Sequence, residues 1–229
     1  MKFKSIVPRK IRKRINRFWR FNSYAELLRS NFKKHGVLLR AKDRDIYFAV
    51  SKNDILIDCG ANVGDITSQM ARTLGIVYAF EPDPYAFEIL RKRFGRTKNV
   101  YVFNEGVCVE DGEMAFYMHR MTSKDPIDAS VGSSFNENKN QRYKKIFVRC
   151  INFSKFIDEL GRIVALVKMD IEGMEFDVID VLISSGRIKK IKQMIVETHE
   201  RQMPELIERK HSLSNHIKKE NLDIDLGWK

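Results

Sequence analysis

The 229-residue chain has only three cysteines, Cys59, Cys108 and Cys150, and no two of them stand in a CxxC pair. An odd count without paired spacing argues against a disulfide framework and against a cysteine-rich zinc site, and it points to a reducing cytoplasm. No apolar run approaches the roughly 20 residues that span a bilayer. The N-terminus is basic but lacks the apolar segment and small-residue cleavage site of a secretory signal. Acidic residues are missing from one stretch: residues 1–20, "MKFKSIVPRKIRKRINRFWR", hold nine Lys/Arg and no Asp or Glu. The whole chain has 42 basic and 30 acidic residues, a net charge of +12; without those nine it has 33 against 30. The body is therefore nearly neutral. It has no long basic track for a phosphate backbone, so no nucleic-acid partner is expected.

What is present is alternation. Short apolar strands are expected at 54–59, 76–80, 99–103, 163–170 and 193–199, with amphipathic helices near 63–74, 84–94, 153–160 and 174–185. Hydrophobic strands alternating with helices define a doubly wound, mostly parallel α/β sheet covered on both faces. Before it, "VLLRA" and "DIYFAV" flank "KDR" and read as a hairpin, and residues 1–30 form a basic helical extension to one domain over 31–229. A second hairpin is expected in "GVCVEDGEMAFYM", with Asp111-Gly112 as its turn. The polar stretch from His119 to Lys145 shows no period and reads as a functional or disordered loop.

The first strand runs into "ILIDCGANVGD", residues 55–65. In open parallel sheets ligands bind beyond the carboxyl ends of the strands, at the switch in strand order. Gly60 and Gly64 suit a strand-to-helix turn that a ligand approaches closely. Glu81 ends the next strand, "IVYAFEP", where an acid accepts hydrogen bonds from both ribose hydroxyls of an adenosine. The third glycine of a dinucleotide-binding GxGxxG is absent, and Asp58 precedes the first glycine. A pyrophosphate disfavours that carboxylate, whereas a ligand with an ammonium and a sulfonium tolerates it. S-adenosyl-L-methionine fits this pattern; the competing reading makes Asp58 and Glu81 solvated strand ends.

The stretches "IDCGANVGDIT", "VYAFEPDPYAFEIL", "VFNEGVCVEDGE", "SVGSS", "VKMDIEGMEFDVI" and "MIVETH" together resemble the FkbM methyltransferase family, a class I S-adenosylmethionine-dependent group, over roughly residues 54–199. The resemblance implies a seven-stranded Rossmann-like sheet and methyl transfer to oxygen, in most understood members to sugar hydroxyls of glycolipids, polysaccharides or natural products. It implies cofactor contacts from Asp58, Gly60, Asn62, Gly64 and Glu81, with Asn104 and Glu105 near the adenine. Two departures stand out. "NFSKFIDEL" replaces the family's "TLDDLL"-like segment, and the final strand pair is barely visible in "NLDIDLGWK".

On the acceptor side, residues two apart on a strand share a face. Lys168, Asp170 and Glu172 form one such set, and Glu197 and His199 another on the neighbouring strand. Charges inside a covered sheet need partners or an open cleft. Asp170 is the first candidate for the base or acceptor-orienting group and His199 the second, with Glu172 binding acceptor hydroxyls. Simpler readings stand beside these: Lys168 neutralises Asp170, His199 ends a strand in solvent, and Glu175 caps a helix start. The acids also raise the question of a divalent cation, but their spacing is diagnostic of none. "SVGSS" reads as part of a lid or as an exposed loop.

After Pro8, Ile11, Ile15, Phe18 and Trp19 fall on one helical face, a basic amphipathic pattern suited to an anionic membrane surface, with docking on a partner or on the domain as the rival. Three functions remain in view: a sugar or glycoconjugate O-methyltransferase, an RNA ribose methyltransferase, and a non-catalytic membrane-associated binding module on the same fold. On the membrane reading, deleting residues 1–20 abolishes co-sedimentation with anionic liposomes; unchanged sedimentation removes that reading.

Overall fold

The computed structural model describes residues 36–40, 45–124, 133–135, 142–199 and 206–228. The expected N-terminal helix lies outside these residues. The expected hairpin is present: β1 (Gly36–Arg40) pairs antiparallel with β2 (Asp45–Ala49).

The centre of the domain is a six-stranded sheet. Its strands are β3 (Ile55–Cys59), β4 (Ile76–Phe80), β5 (Val100–Phe103), β9 (Val164–Met169), β10 (Met194–Val196) and β11 (Ile224–Asp225), in the order β11-β10-β9-β3-β4-β5. Every pairing in it is parallel. The helices are α1 (Asp65–Met70), α2 (Pro84–Phe94), α3 (Phe153–Glu159), α4 (Glu175–Ser184) and α5 (Leu206–Glu220). This is the expected doubly wound α/β architecture of Rossmann-like type.

β3 shows why the layers form. All five of its residues are buried, and successive side chains point to opposite faces. Ile55, Ile57 and Cys59 join a core with Phe153 and Ile157 of α3, Phe176 and Ile179 of α4, and Leu213 and Ile217 of α5. Leu56 joins a second core with Met70 of α1, Leu90 and Phe94 of α2, Leu39 and Phe48 of the hairpin, and Trp228. From β3 the chain winds outward one way to β4 and β5 and returns to β9 on the other side. The gap between those two directions opens a crevice at the carboxyl ends of β3, β4 and β9.

Three expectations need correction. The described sheet has six strands where the resemblance implied seven; β11 has two residues and pairs parallel with β10, with no antiparallel pair at that edge among the described residues. The second hairpin does not form either. β6 (Gly106–Cys108) and β7 (Gly112–His119) both pair with β8 (Tyr143–Asn152), which lies between them. Its antiparallel register with β7 runs over eight pairs, from Gly112↔Cys150 to His119↔Tyr143, and this longer ladder outcompetes a local turn at Asp111-Gly112. Asp111 instead accepts from the Asn152 amide at 2.8 Å and from Lys155 Nζ at 3.1 Å. The polar stretch is thus the connection of a long hairpin, and its last residues belong to β8. Finally, helix α5 was not anticipated, although Leu206, Leu213 and Ile217 mark its buried stripe.

Candidate active site

The turn after β3 carries the chain through three left-handed residues, Gly60 (φ +73°), Asn62 (φ +51°) and Gly64 (φ +88°), into α1. A Cβ on Gly60 would lie 1.7 Å from the Asp170 carbonyl oxygen, and one on Gly64 would lie 2.5 Å from the Phe94 ring. The glycines were expected to make room for a ligand. The space beside them is taken by the chain itself: β9 closes on Gly60 and α2 on Gly64.

That tight turn aims one amide at Glu81. The carboxylate accepts from the Asn62 amide at 2.7 Å (Oε2) and from the Asp83 amide at 2.8 Å (Oε1). A carboxylate has about four lone-pair sites, so roughly two remain for other donors. Glu81 is buried, and burial pushes its pKa up to about 8 against the lowering pull of the two amides. A preorganised acid of this kind at the second strand end is what a ribose diol requires. The residues present fit an adenosine-bearing donor.

Asp58, by contrast, faces inward. It is fully buried, accepts from Thr67 Oγ1 at 2.6 Å and lies 3.5 Å from Lys168 Nζ. Lys168 is as deeply placed: its Nζ donates to the Gly60 carbonyl at 2.8 Å and sits 3.4 Å from Asp170 Oδ2. Burial draws the Lys168 pKa down, but the carboxylates of Asp170 and Asp58 more than offset this and hold it above the ordinary lysine value. Lys168 is a cross-link between β3 and β9, consistent with the simpler reading of its role.

The acceptor-side residues leave their strands before they meet. β9 ends at Met169 and β10 at Val196, so Asp170, Glu172, Glu197 and His199 project from loops. Glu172 adopts φ +56° and Gly173 φ +114°. Glu175, read from sequence as a helix cap, holds this turn: it is fully buried and accepts from the Ile171 and Gly173 amides, each at 3.0 Å. Its Oε1 also lies 3.2 Å from His199 Nδ1. His199 Nε2 faces Glu172 Oε2 at 3.1 Å and Asp170 Oδ1 at 3.7 Å. Burial lowers the His199 pKa, but Glu175, Glu172 and Asp170 around it raise it to about 9. Burial lifts Glu172 to about 8, with His199 opposing and the neighbouring carboxylates adding to the rise. Sequence reasoning missed the role of Glu175 because two of its contacts come from one loop and the third from the loop after β10. The described acids and histidine that could hold a metal ion are Asp170, Glu175 and His199.

One cleft joins the two halves. Its cavity volume is about 70 Å³, below the roughly 300–1,000 Å³ of small-molecule sites. Gly60, Asn62 and Glu81 line one side, and Asp170 and Glu172 the other. Phe116, Ser133 and Phe135 from the small sheet and the "SVGSS" segment close it. Ser133 Oγ donates to Asp83 at 3.2 Å, and Ser134 Oγ donates to the Glu172 carbonyl at 2.7 Å. Asn104 and Glu105 do not line this cleft. Asn104 Nδ2 donates to the Glu81 carbonyl at 2.9 Å, steadying that turn from behind, and Glu105 pairs with Arg149 at 2.8 Å.

A doubly wound parallel sheet with a polar cleft at its switch point defines a Rossmann-like α/β domain. Residues 58–219 match the methyltransferase FkbM domain, and the chain belongs to that family. Among solved structures it is similar to methyltransferase FkbM from Methylobacillus flagellatus KT, at 18% identity and a TM-score of 0.37 over 57% of this chain. The chain spans 29% of that protein's crystallised length. No functionally curated protein matches it. Among the described residues no helix is long and apolar enough to cross a membrane.

The cross-link at the switch point yields a stability prediction. Lys168→Met leaves Asp58 and Asp170 without their shared cation in a buried setting, and urea denaturation should show a loss of about 3–5 kcal/mol. A loss below about 1 kcal/mol would place Lys168 outside the structural framework.

Proposed function

We propose that the protein is an S-adenosyl-L-methionine-dependent O-methyltransferase acting on a hydroxyl of a sugar or glycoconjugate. Family membership supports methyl transfer. The observation that carries the reading is the doubly clamped Glu81 sharing one cleft with Asp170 and Glu172.

When bound, the donor supplies a methyl group activated by a sulfonium. The chain does the rest. Glu81 takes the ribose hydroxyls on its remaining lone pairs, and the Gly60–Asn62 turn forms the adjoining floor. Asp170, on the opposite wall, would orient the acceptor hydroxyl and receive its proton at a carboxylate oxygen as the C–O bond forms and the methyl's bond to sulfur breaks, leaving a neutral thioether. Holding the acceptor oxygen in line with the methyl is the main contribution, and proton removal adds about 10²–10⁴-fold. Glu172 binds a neighbouring acceptor hydroxyl. His199, with its pKa raised to about 9, carries a proton at neutral pH and pairs the wall carboxylates instead of acting as the base. Ser133, Ser134 and Phe135 exclude water from above.

Because Glu81 must be ionised to accept from two hydroxyls, donor binding should release a proton at neutral pH. Calorimetry should show affinity for S-adenosylmethionine or its demethylated product rising about tenfold per pH unit until about pH 8, then levelling. In Glu81→Gln the slope disappears and neutral-pH affinity falls roughly tenfold or more; an unaltered profile means the ribose contact lies elsewhere. Asp170→Asn should keep donor affinity within about threefold while abolishing methylation of the acceptor, detected as a gain of one CH₂ by mass spectrometry of cellular glycolipids and polysaccharides; a fully active variant excludes Asp170 from catalysis.

A further inference from the structure

The acceptor wall has a feature that proton transfer alone does not explain. One buried oxygen or nitrogen from each of Asp170, Glu175 and His199 lies within 4.8 Å of the others. The His199 side chain is only 6% exposed and that of Glu175 is fully buried, whereas Asp170 is 26% exposed and faces the cleft. Two buried atoms inside the group, His199 Nδ1 and Asp170 Oδ1, make no hydrogen bond. Among the described residues, the imidazole nitrogens are paired with carboxylate oxygens: Glu175 at Nδ1, Glu172 and Asp170 at Nε2. A neutral imidazole always has one bare acceptor nitrogen, and here such a nitrogen would face acceptors. In the ion-free chain a second proton on the ring relieves this conflict; a cation that displaces that proton and is coordinated by the bare nitrogen and the surrounding oxygens relieves it as well.

We propose that Asp170, Glu175 and His199 form a binding site for one divalent cation with mixed nitrogen and oxygen preference, of the Mn²⁺ type, at the acceptor end of the cleft. The geometry suits it. Ligands about 2.1 Å from an octahedral ion stand about 3 Å apart when adjacent and about 4.2 Å apart when opposite, and the 3.2 Å between His199 Nδ1 and Glu175 Oε1 matches the adjacent case. Charge also suits it. Asp58, Asp170, Glu172 and Glu175 outnumber Lys168 and His199 in this region, and Lys168 Nζ is already directed at Gly60, Asp58 and Asp170. One imidazole with several carboxylates falls between the all-oxygen sets of Mg²⁺ and Ca²⁺ and the nitrogen- and sulfur-rich sets of Zn²⁺. The amides of Ile171 and Gly173 orient Glu175, as hydrogen bonds to a coordinating side chain orient it toward its metal. Asp170 gives the ion its exposure to the cleft, where it would meet the acceptor oxygen; this last point rests on the methyltransferase reading, whereas the cation site itself does not.

The test is binding of Mn²⁺ to the chelator-treated full chain, followed by electron paramagnetic resonance and calorimetry with and without the demethylated donor product. One ion per chain is expected, with affinity at least tenfold weaker in His199→Ala and in Asp170→Asn and unchanged in Glu81→Gln. Circular dichroism checks folding, and the partly exposed Asp170→Asn keeps the test valid if His199→Ala does not fold. Absence of Mn²⁺ binding, or binding that both variants retain, overturns the proposal. Failure of the donor product to bind while Mn²⁺ binds would overturn the methyltransferase reading and leave the cation site standing.

Discussion

Everything at the switch point depends on one ammonium group. Lys168 Nζ sits between Asp58 and Asp170 and donates to the backbone of Gly60. β3 and β9 are adjacent parallel strands whose ladder runs to their ends, where the Asp170 amide donates to the Cys59 carbonyl at 3.1 Å. The lysine adds charge to that seam. It fixes the height of the Gly60 turn against the Asp170 carbonyl, and a Cβ on Gly60 would not fit in the space that remains. From that contact follow the direction of the Asn62 amide, its bond to Glu81, and the placing of Asp170 at the cleft.

The two walls of the cleft are built by different means. On the donor side, backbone amides hold a single acid, an arrangement that needs little from distant sequence. On the acceptor side, a loop of unusual conformation is held by Glu175, and the ring of His199 from the loop after β10 completes it. A left-handed Glu172 costs of order 1–3 kcal/mol in isolation, and the buried carboxylate that bonds both flanking amides offsets this. The donor wall is rigid by local geometry, the acceptor wall by a network.

The legibility of the sequence follows the same division. β3, β4 and β9 could be read because both faces are covered and their residues are almost continuously apolar. α2 covers the expected residues 84–94, and Asp83 caps its start. Glu81 could be placed because it follows the expected second strand. β8 was overlooked although Ile146, Val148 and Cys150 alternate with outward Lys145, Phe147 and Arg149, because its charged face blends with the polar stretch before it. Asp111-Gly112 misled because a turn signal reports local preference, and the winning partner lay some 40 residues on. Gly60 lines the cleft, but the need for glycine at 60 and 64 also comes from Asp170 and Phe94, neighbours that only the packing across the turn reveals. Asp58 was read as a cofactor contact or a solvated strand end and Lys168 as a pocket residue or the partner of Asp170; they face each other in the interior, and a buried pair and an exposed pair look alike in one dimension.

Ser133 and Ser134 touch both walls at once: one hydroxyl reaches Asp83 beside Glu81, the next reaches the backbone of Glu172. Two adjacent residues thereby tie the placing of one wall to that of the other. A shift in the turn after β4 is passed to the turn after β9 without crossing the central sheet.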